Sequence, residues 1–297
     1  MEQTNTMRRR RNFSPPNKTI TDDDKRFMVE QYVTHKKSAN EILKMFNGKF
    51  KTTKTVYDVL KQFDIKGREL QDYINIDHLF FSEINTSAKA YILGLFITDG
   101  WVISDKGAFG IQLTMEDENI IKMIRKELKS DTSLVTCYKK PFEGANGNIY
   151  QPKDMIRFFA HSKQIVNDLS RYGVINNKSD KTLLPLIGPN FMPHMLRGIL
   201  DGDGSVYIHA QSNNLCIRFI GTRVLVAQIS MFLALALGVK YNYPNIRTKQ
   251  KETYMDICYV DWESKEEVEK IIRYIYKDSD EDHRIRRKYE KAKDYII

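Results

Sequence analysis

Two aspartates, Asp99 and Asp203, each sit before a glycine at the end of an apolar stretch: ILGLFITDG over residues 92–100 and LRGILDGDG over 196–204. A second glycine lies five positions before each acid, Gly94 and Gly198. Glycine inside a helix costs about 1 kcal/mol against alanine, so its use here predicts two backbones in contact. Gly94 and Thr98, like Gly198 and Gly202, fall at i, i+4 on one helix face. If those faces pack together, the helix ends meet and bring Asp99 next to Asp203. Two carboxylates placed there repel each other, and each lies at the negative end of a helix dipole. A divalent cation would offset that cost, and hard oxygen donors with few surrounding His or Cys side chains suit Mg2+ or Mn2+. A single Asp-Gly pair reads better as a polar helix stop with a left-handed glycine cap. The repetition favours the functional reading.

The elements that must hold these acids also occur twice. From Ser87 an apolar helix leads to strands WVIS and FGIQLT, then an amphipathic helix with Ile120, Ile121, Ile124 and Leu128. Strands are expected around LVTCYKK and MIRFFAH, with a helix near 162–172. After Pro189 the order returns: helix, strands SVYIH and LCIRFI, and a Leu/Ala-rich helix stopping at Gly238. Strands around KYNY and TYMDICYV and a charged helix near Glu266 complete it. Each half thus reads helix, two strands, helix, two strands, helix, which implies a pseudo-two-fold molecule.

Ahead of the repeats the chain is basic. Residues 1–70 carry 16 Lys+Arg against 9 Asp+Glu, so most of the formal net +9 lies there. Such a segment suits either a polyanion such as nucleic acid or ordinary solubility. Residues 1–20 read as a flexible basic arm with Pro15 and Pro16. Thr21 caps a helix opening on Asp22, Asp23 and Asp24, and Ser38 with Glu41 forms a capping box for a second. A third starts at Thr52 or Thr53, with Val56, Leu60 and Phe63 on its apolar side and Lys51, Lys54 and Lys61 exposed. These three helices resemble a helix-turn-helix whose last helix would enter the major groove. The expected division is an arm at 1–20, this all-α domain at 21–70, a linker at 71–85, and repeats at 86–188 and 189–297.

Composition excludes other classes. With 41% hydrophobic residues the chain is not disordered overall. Its longest apolar run, Met231–Val239, is too short to span a bilayer. Three separated cysteines argue against a disulfide framework or a CxxC metal site. No secretory signal follows Arg8–Arg11, so a soluble cytoplasmic protein is expected. Six scattered histidines make no Ser-His-Asp or Cys-His nucleophile arrangement.

ILGLFITDG and LRGILDGDG resemble the two motifs of a single-chain LAGLIDADG homing endonuclease, and the resemblance covers about residues 86–297. It implies an α/β (α+β) fold in which two pseudo-symmetric αββαββα repeats form a saddle astride duplex DNA. The small N-terminal all-α domain adds to it, as in some free-standing members. It implies metal ligation by Asp99 and Asp203, supported by the main-chain carbonyls of Thr98 and Gly202. The sixth motif position differs, Ile97 against Asp201, which does not remove the eighth-position acid that carries the chemistry. A basic residue in each half is implied near the scissile phosphate. Asn177-Lys178-Ser179 supplies Lys178 and Arg287-Lys288-Tyr289 supplies Lys288, 79 and 85 residues after their acids, with Lys181 and Arg287 as competitors.

The resemblance further implies metal-dependent hydrolysis of both strands of a long asymmetric target by a monomer. Base reading falls to strand residues facing the major groove: Gln112, Lys139, Lys140 and Arg157, then Arg218, Arg247, Lys249 and Lys251. Two other activities share this framework, an intron RNA maturase and a catalytically inactive DNA-binding regulator. Retention of both acids and both lysines favours cleavage. An intein is not expected, since the terminus Asp294-Tyr295-Ile296-Ile297 lacks the His-Asn that splicing needs.

Overall fold

A computed structural model describes residues 19–144, 146–177, 181–248 and 257–296. The chain divides into two compact units between Glu69 and Leu70.

The first unit packs three helices, α1 (Asp22–Val33), α2 (Ala39–Met45) and α3 (Lys54–Gln62), around Met28, Tyr32, Ile42, Val56, Val59 and Leu60. Capping boxes start α1 (Thr21 with Asp24) and α2 (Ser38 with Glu41), each satisfying two orphan backbone N–H groups. Phe63, expected on the apolar side of α3, is 47% exposed and Val59 is buried instead. Phe63 is the helix C-cap, past the last turn that faces the core. Lys51, Lys54 and Lys61 are exposed, and Lys54, Tyr57, Asp58 and Lys61 share one exposed face of α3. The connection between α2 and α3 runs from Phe46 through Thr53, longer than the three or four residues of a helix-turn-helix turn.

The second unit contains the repeat. Its first half runs α4 (Ser87–Thr98), β1 (Gly100–Ile103), β2 (Ala108–Thr114), α5 (Glu118–Glu127), β3 (Val135–Cys137), a small hairpin of β4 (Phe142–Glu143) and β5 (Ile149–Tyr150), β6 (Met155–His161) and α6 (Lys163–Arg171). The second half runs α7 (Met192–Gly202), β7 (Ser205–Ile208), β8 (Leu215–Gly221), α8 (Arg223–Leu237), β9 (Asn245–Thr248), β10 (Ile257–Trp262), α9 (Lys265–Tyr276) and α10 (Arg286–Ala292). Both four-stranded sheets are antiparallel with equivalent orders, β1-β2-β6-β3 and β7-β8-β10-β9. Period-2 alternation sends Phe109, Ile111, Phe158 and Ala160 of one sheet, and Ile217, Phe219, Val260 and Trp262 of the other, into one apolar core.

Two strand expectations shift. KYNY, residues 240–243, forms no strand, and β9 begins at Asn245. Side chains take its backbone groups: Trp262 Nε1 donates to Lys240 O at 3.0 Å, and Asn242 N donates to Ser230 Oγ at 2.8 Å. The strand expected through LVTCYKK stops at Cys137, and Lys139 N donates to the Asp154 carboxylate at 2.8 Å. Residues 71–85, expected as a linker, contribute Ile76, Phe80, Phe81 and Ile84 to the core of the second unit. Phe80 and Phe81 meet edge to face, and Phe81 meets Phe96 of α4 in the same way.

Candidate active site at the paired helix ends

Helix α4 is apolar on every side and Ala90 through Ile97 are all buried, so it must be enclosed rather than lie on a surface. Its partner is α7. Gly94 and Gly198 face each other across that contact. A Cβ added to either would lie 2.9 Å from the other's Cα and press on a main-chain carbonyl, Met195 O for Gly94 and Tyr91 O for Gly198. The sequence expectation of touching backbones holds at both positions, and the contact is reciprocal, as a pseudo-dyad requires.

Asp99 and Asp203 are the C-caps of α4 and α7, with nearly identical backbone angles (φ −91°, ψ −10° and φ −87°, ψ −13°). The glycines after them are not left-handed caps. Neither Gly100 nor Gly204 has positive φ. A Cβ on Gly100 would lie 2.7 Å from Phe96 O, and one on Gly204 would lie 2.7 Å from Leu200 O. Glycine is needed because the chain passes from the helix straight into a strand lying against the last turn. A Cβ on Gly202 would fall 2.6 Å from the Asp99 carboxylate, so that carboxylate rests against the residue preceding Asp203. The Thr98 hydroxyl, which has one hydrogen to give, lies 2.9 Å from Leu95 O and 3.2 Å from Asp99 Oδ2. The Asp99 side is half-buried and Asp203 is exposed.

Among the described residues no group of three or more His, Cys, Asp or Glu is arranged to hold a metal ion. The Asp99 and Asp203 carboxylates with the Thr98 carbonyl are oxygen donors only, while the Gly202 carbonyl, expected beside them, already accepts from Lys288 Nζ at 3.3 Å. Magnesium, which keeps several waters and pairs with one or two carboxylates plus substrate phosphates, fits that donor set; a closed His/Cys zinc site does not.

The remaining site residues divide. Lys178 lies outside the described residues, as do Lys249 and Lys251. Lys181 is exposed. Lys288 is only 5% exposed, and its Nζ points into the protein. It donates to the carbonyls of Leu200 (2.7 Å), Asp201 (2.6 Å), Gly202 (3.3 Å) and Gly204 (2.8 Å). An ammonium has three N–H donors, so none remains for a phosphate. Burial lowers its pKa to about 8, against the opposing pull of Asp201. Arg287, the competitor, is half-exposed and donates to Asp117 at the start of α5 at 2.9 Å.

Asp201, at the sixth position of the second motif, is buried. Its Oδ2 accepts from Tyr91 Oη and from Ile285 N, each at 2.8 Å. Burial raises its pKa to about 6, with Lys288 the largest opposing influence. Arg197 is buried beside it, donating to His283 O and Ile275 O at 2.8 Å with its guanidinium 5.0 Å from the Tyr91 ring centre. Sequence reasoning missed Tyr91 and Arg197. The available signal was polar residues interrupting helices otherwise buried on all sides, Arg197 inside the second motif itself.

Of the base-reading candidates, Gln112, Arg157 and Arg218 occupy strand positions that alternate with buried core residues. Gln112 and Arg157 are cross-strand partners on β2 and β6. Arg218 on β8 opposes Asp261 on β10, donating to its carboxylate through Nε at 3.1 Å and to Tyr207 Oη at 2.9 Å. Trp101 and Ser205, each two residues after a motif acid, pair with Gly110 and Arg218. The repeat-equivalent of Arg218 is therefore Gly110, and Gln112 lies one face-position further along. Lys139 and Lys140 are exposed in the loop beyond β3, and Arg247 lies on β9.

Residues 86–187 match the family model of the LAGLIDADG-like domain. This segment is similar to that domain. It spans α4 through α6 and includes Asp99 with its motif helix, and α7 through α9 repeat its order and sheet topology. No curated protein gave a match. Among solved structures, the chain is similar to the homing endonuclease I-WcaI bound to its DNA recognition sequence, at 10% identity and TM-score 0.44, covering 78% of this chain and 91% of that one. It is also similar to the LAGLIDADG homing endonuclease I-GzeII in complex with a DNA target, at 14% identity and TM-score 0.42, covering 69% and 87%. No helix among the described residues is long and apolar enough to cross a membrane.

Proposed function

We propose that this protein is a site-specific double-strand DNA endonuclease that hydrolyses phosphodiesters with Mg2+ or Mn2+ and acts as a monomer on a long asymmetric target. One observation carries the reading: the Gly94–Gly198 contact brings two separate aspartate-ended helices together, so that the Asp99 carboxylate lies against Gly202. Packing alone does not call for an acid on each end of such a pair.

Asp99 and Asp203, with the Thr98 carbonyl, would hold the cation, the Gly202 carbonyl being shared with Lys288. When bound it supplies a water acidic enough to attack at neutral pH and positive charge for the departing oxygen. The chain's own share is placement. Reciprocal glycine packing fixes both helix ends, and the Thr98 hydroxyl lies 3.2 Å from the Asp99 carboxylate. Lys178 is retained as the basic group of the first half. The two outer sheet faces would follow the duplex. Gln112 with Arg157 suits base edges in one half, and Arg218 with Arg247, Lys249 and Lys251 serves the other. Lys139 and Lys140 suit phosphates, and Lys51, Lys54 and Lys61 would extend the footprint through the first unit.

The test is to incubate the protein with genomic DNA of its host and of relatives lacking its gene, then map new ends. Parallel arms contain Mg2+, EDTA, Asp99→Asn or Asp203→Asn. One recurrent double-strand break confined to the Mg2+ arm with both acids is expected. Tight, salt-sensitive DNA binding without any break would favour a regulator, and tight binding only to folded intron RNA a maturase.

A further inference from the structure

Lys288 lies where the family resemblance places a phosphate-facing base, yet its ammonium is turned inward onto main-chain carbonyls on both sides of Asp203. Leu200, Asp201 and Gly202 precede the acid and Gly204 follows it, and Nζ reaches all four. Carbonyls in the last turn of a helix lack intrahelical partners, and a buried cation at that end also opposes the negative pole of the dipole. Neighbouring groups extend the same grip. Ile285 N donates to Asp201 Oδ2 at 2.8 Å, and Lys291, one turn after Lys288 on α10, donates to Val206 O at 3.2 Å. Residues 285–291 therefore stitch residues 200–206, the end of α7 through the start of β7, at successive points.

We propose that Lys288 is a positioning residue of the centre rather than a group that meets DNA: it closes the carbonyl end of α7 and so fixes the main chain that carries Asp203. Its counter-charge is Asp201, which explains why the second motif has an acid where the first has Ile97. Tyr91 of α4 donates to that same carboxylate at 2.8 Å, so the grip on α7 is joined to the partner helix. The effect on cleavage rests on the endonuclease reading. The effect on the helix end does not.

The test uses the full chain with Lys288→Met, and with Lys288→Met/Asp201→Asn as the second variant. The single change leaves a buried carboxylate without its cation. The double change removes both charges, and it keeps the test open should the single variant not fold. Amide hydrogen exchange over residues 201–206 is expected to quicken by about tenfold or more, with exchange in β2 and β6 unchanged. On cleavable DNA, single-turnover cleavage is expected to fall by about tenfold to a hundredfold. Half-saturating Mg2+ would rise and DNA affinity would stay the same.

Unchanged exchange over 201–206 overturns the proposal. Unchanged exchange with cleavage lost at every Mg2+ concentration also overturns it, because Lys288 would then act on the phosphate. Faster exchange with cleavage and Mg2+ dependence intact removes any role in the reaction. If the wild-type protein cuts nothing while the variants still exchange faster, the endonuclease reading fails and the role at the helix end stands.

Discussion

His194 lies in α7 at 6% exposure, and its Nδ1 has no hydrogen-bond partner among the described residues. Burial and then the Arg197 charge lower its pKa to about 4. The unfolded chain would bind that proton near pH 6.5, so between about 4 and 6.5 it holds more protons than the folded one. Stability from this residue is therefore fully present above pH 6.5 and is lost as pH falls through 4, by up to about 3 kcal/mol. Urea titrations at pH 7.5 and 4.5 should show the drop, and His194→Gln should shrink it. An equal drop in the variant would show that His194 is not its source. At the sheet face, Asp261 pairs with the Arg218 guanidinium. Asp261→Asn should release that guanidinium and tighten binding to nonspecific duplex by about tenfold, with a steeper salt dependence. Unchanged affinity and slope would mean that Arg218 does not face DNA.

Helix α7 meets α4 at a point where neither can carry a side chain. Gly198→Val should therefore lower stability by about 1–3 kcal/mol or more, because its Cβ would collide with the Tyr91 carbonyl oxygen. Chemical denaturation reads this directly, and a loss below about half a kcal/mol would contradict the packing. This element was legible in the sequence because a mid-helix glycine is costly and appeared twice in register. The capping boxes at Thr21 and Ser38 were legible for a similar reason, since they are local and nothing distant competes with them. The strand at KYNY was not legible. Its backbone groups go to Trp262 and to Ser230, residues remote in sequence that no local pattern reveals. Lys288 shows the same limit for the site: the resemblance placed it near the scissile phosphate, but only the fold shows that its ammonium points at carbonyls.

At the scale of the molecule, two sheets of equivalent strand order flank one pair of helices, and the first unit has a separate core. Deleting residues 1–69 removes Lys51, Lys54 and Lys61 but no part of the catalytic helices. The remainder should fold, cleave at the same bond, and bind more weakly, with the slope of log affinity against log salt reduced by about 0.9 for each phosphate no longer neutralised. An unchanged slope would show that the first unit does not meet DNA. The central claim is that the two repeats build one catalytic centre, and strand-resolved cleavage of the mapped target by Asp99→Asn, Asp203→Asn and the double variant measures it most directly. Residues acting as one unit are not additive, so each single change should slow both strands by more than about a hundredfold, with the double variant little worse than either. Independent losses that multiply in the double variant, or a single variant that cuts both strands at the wild-type rate, would contradict it.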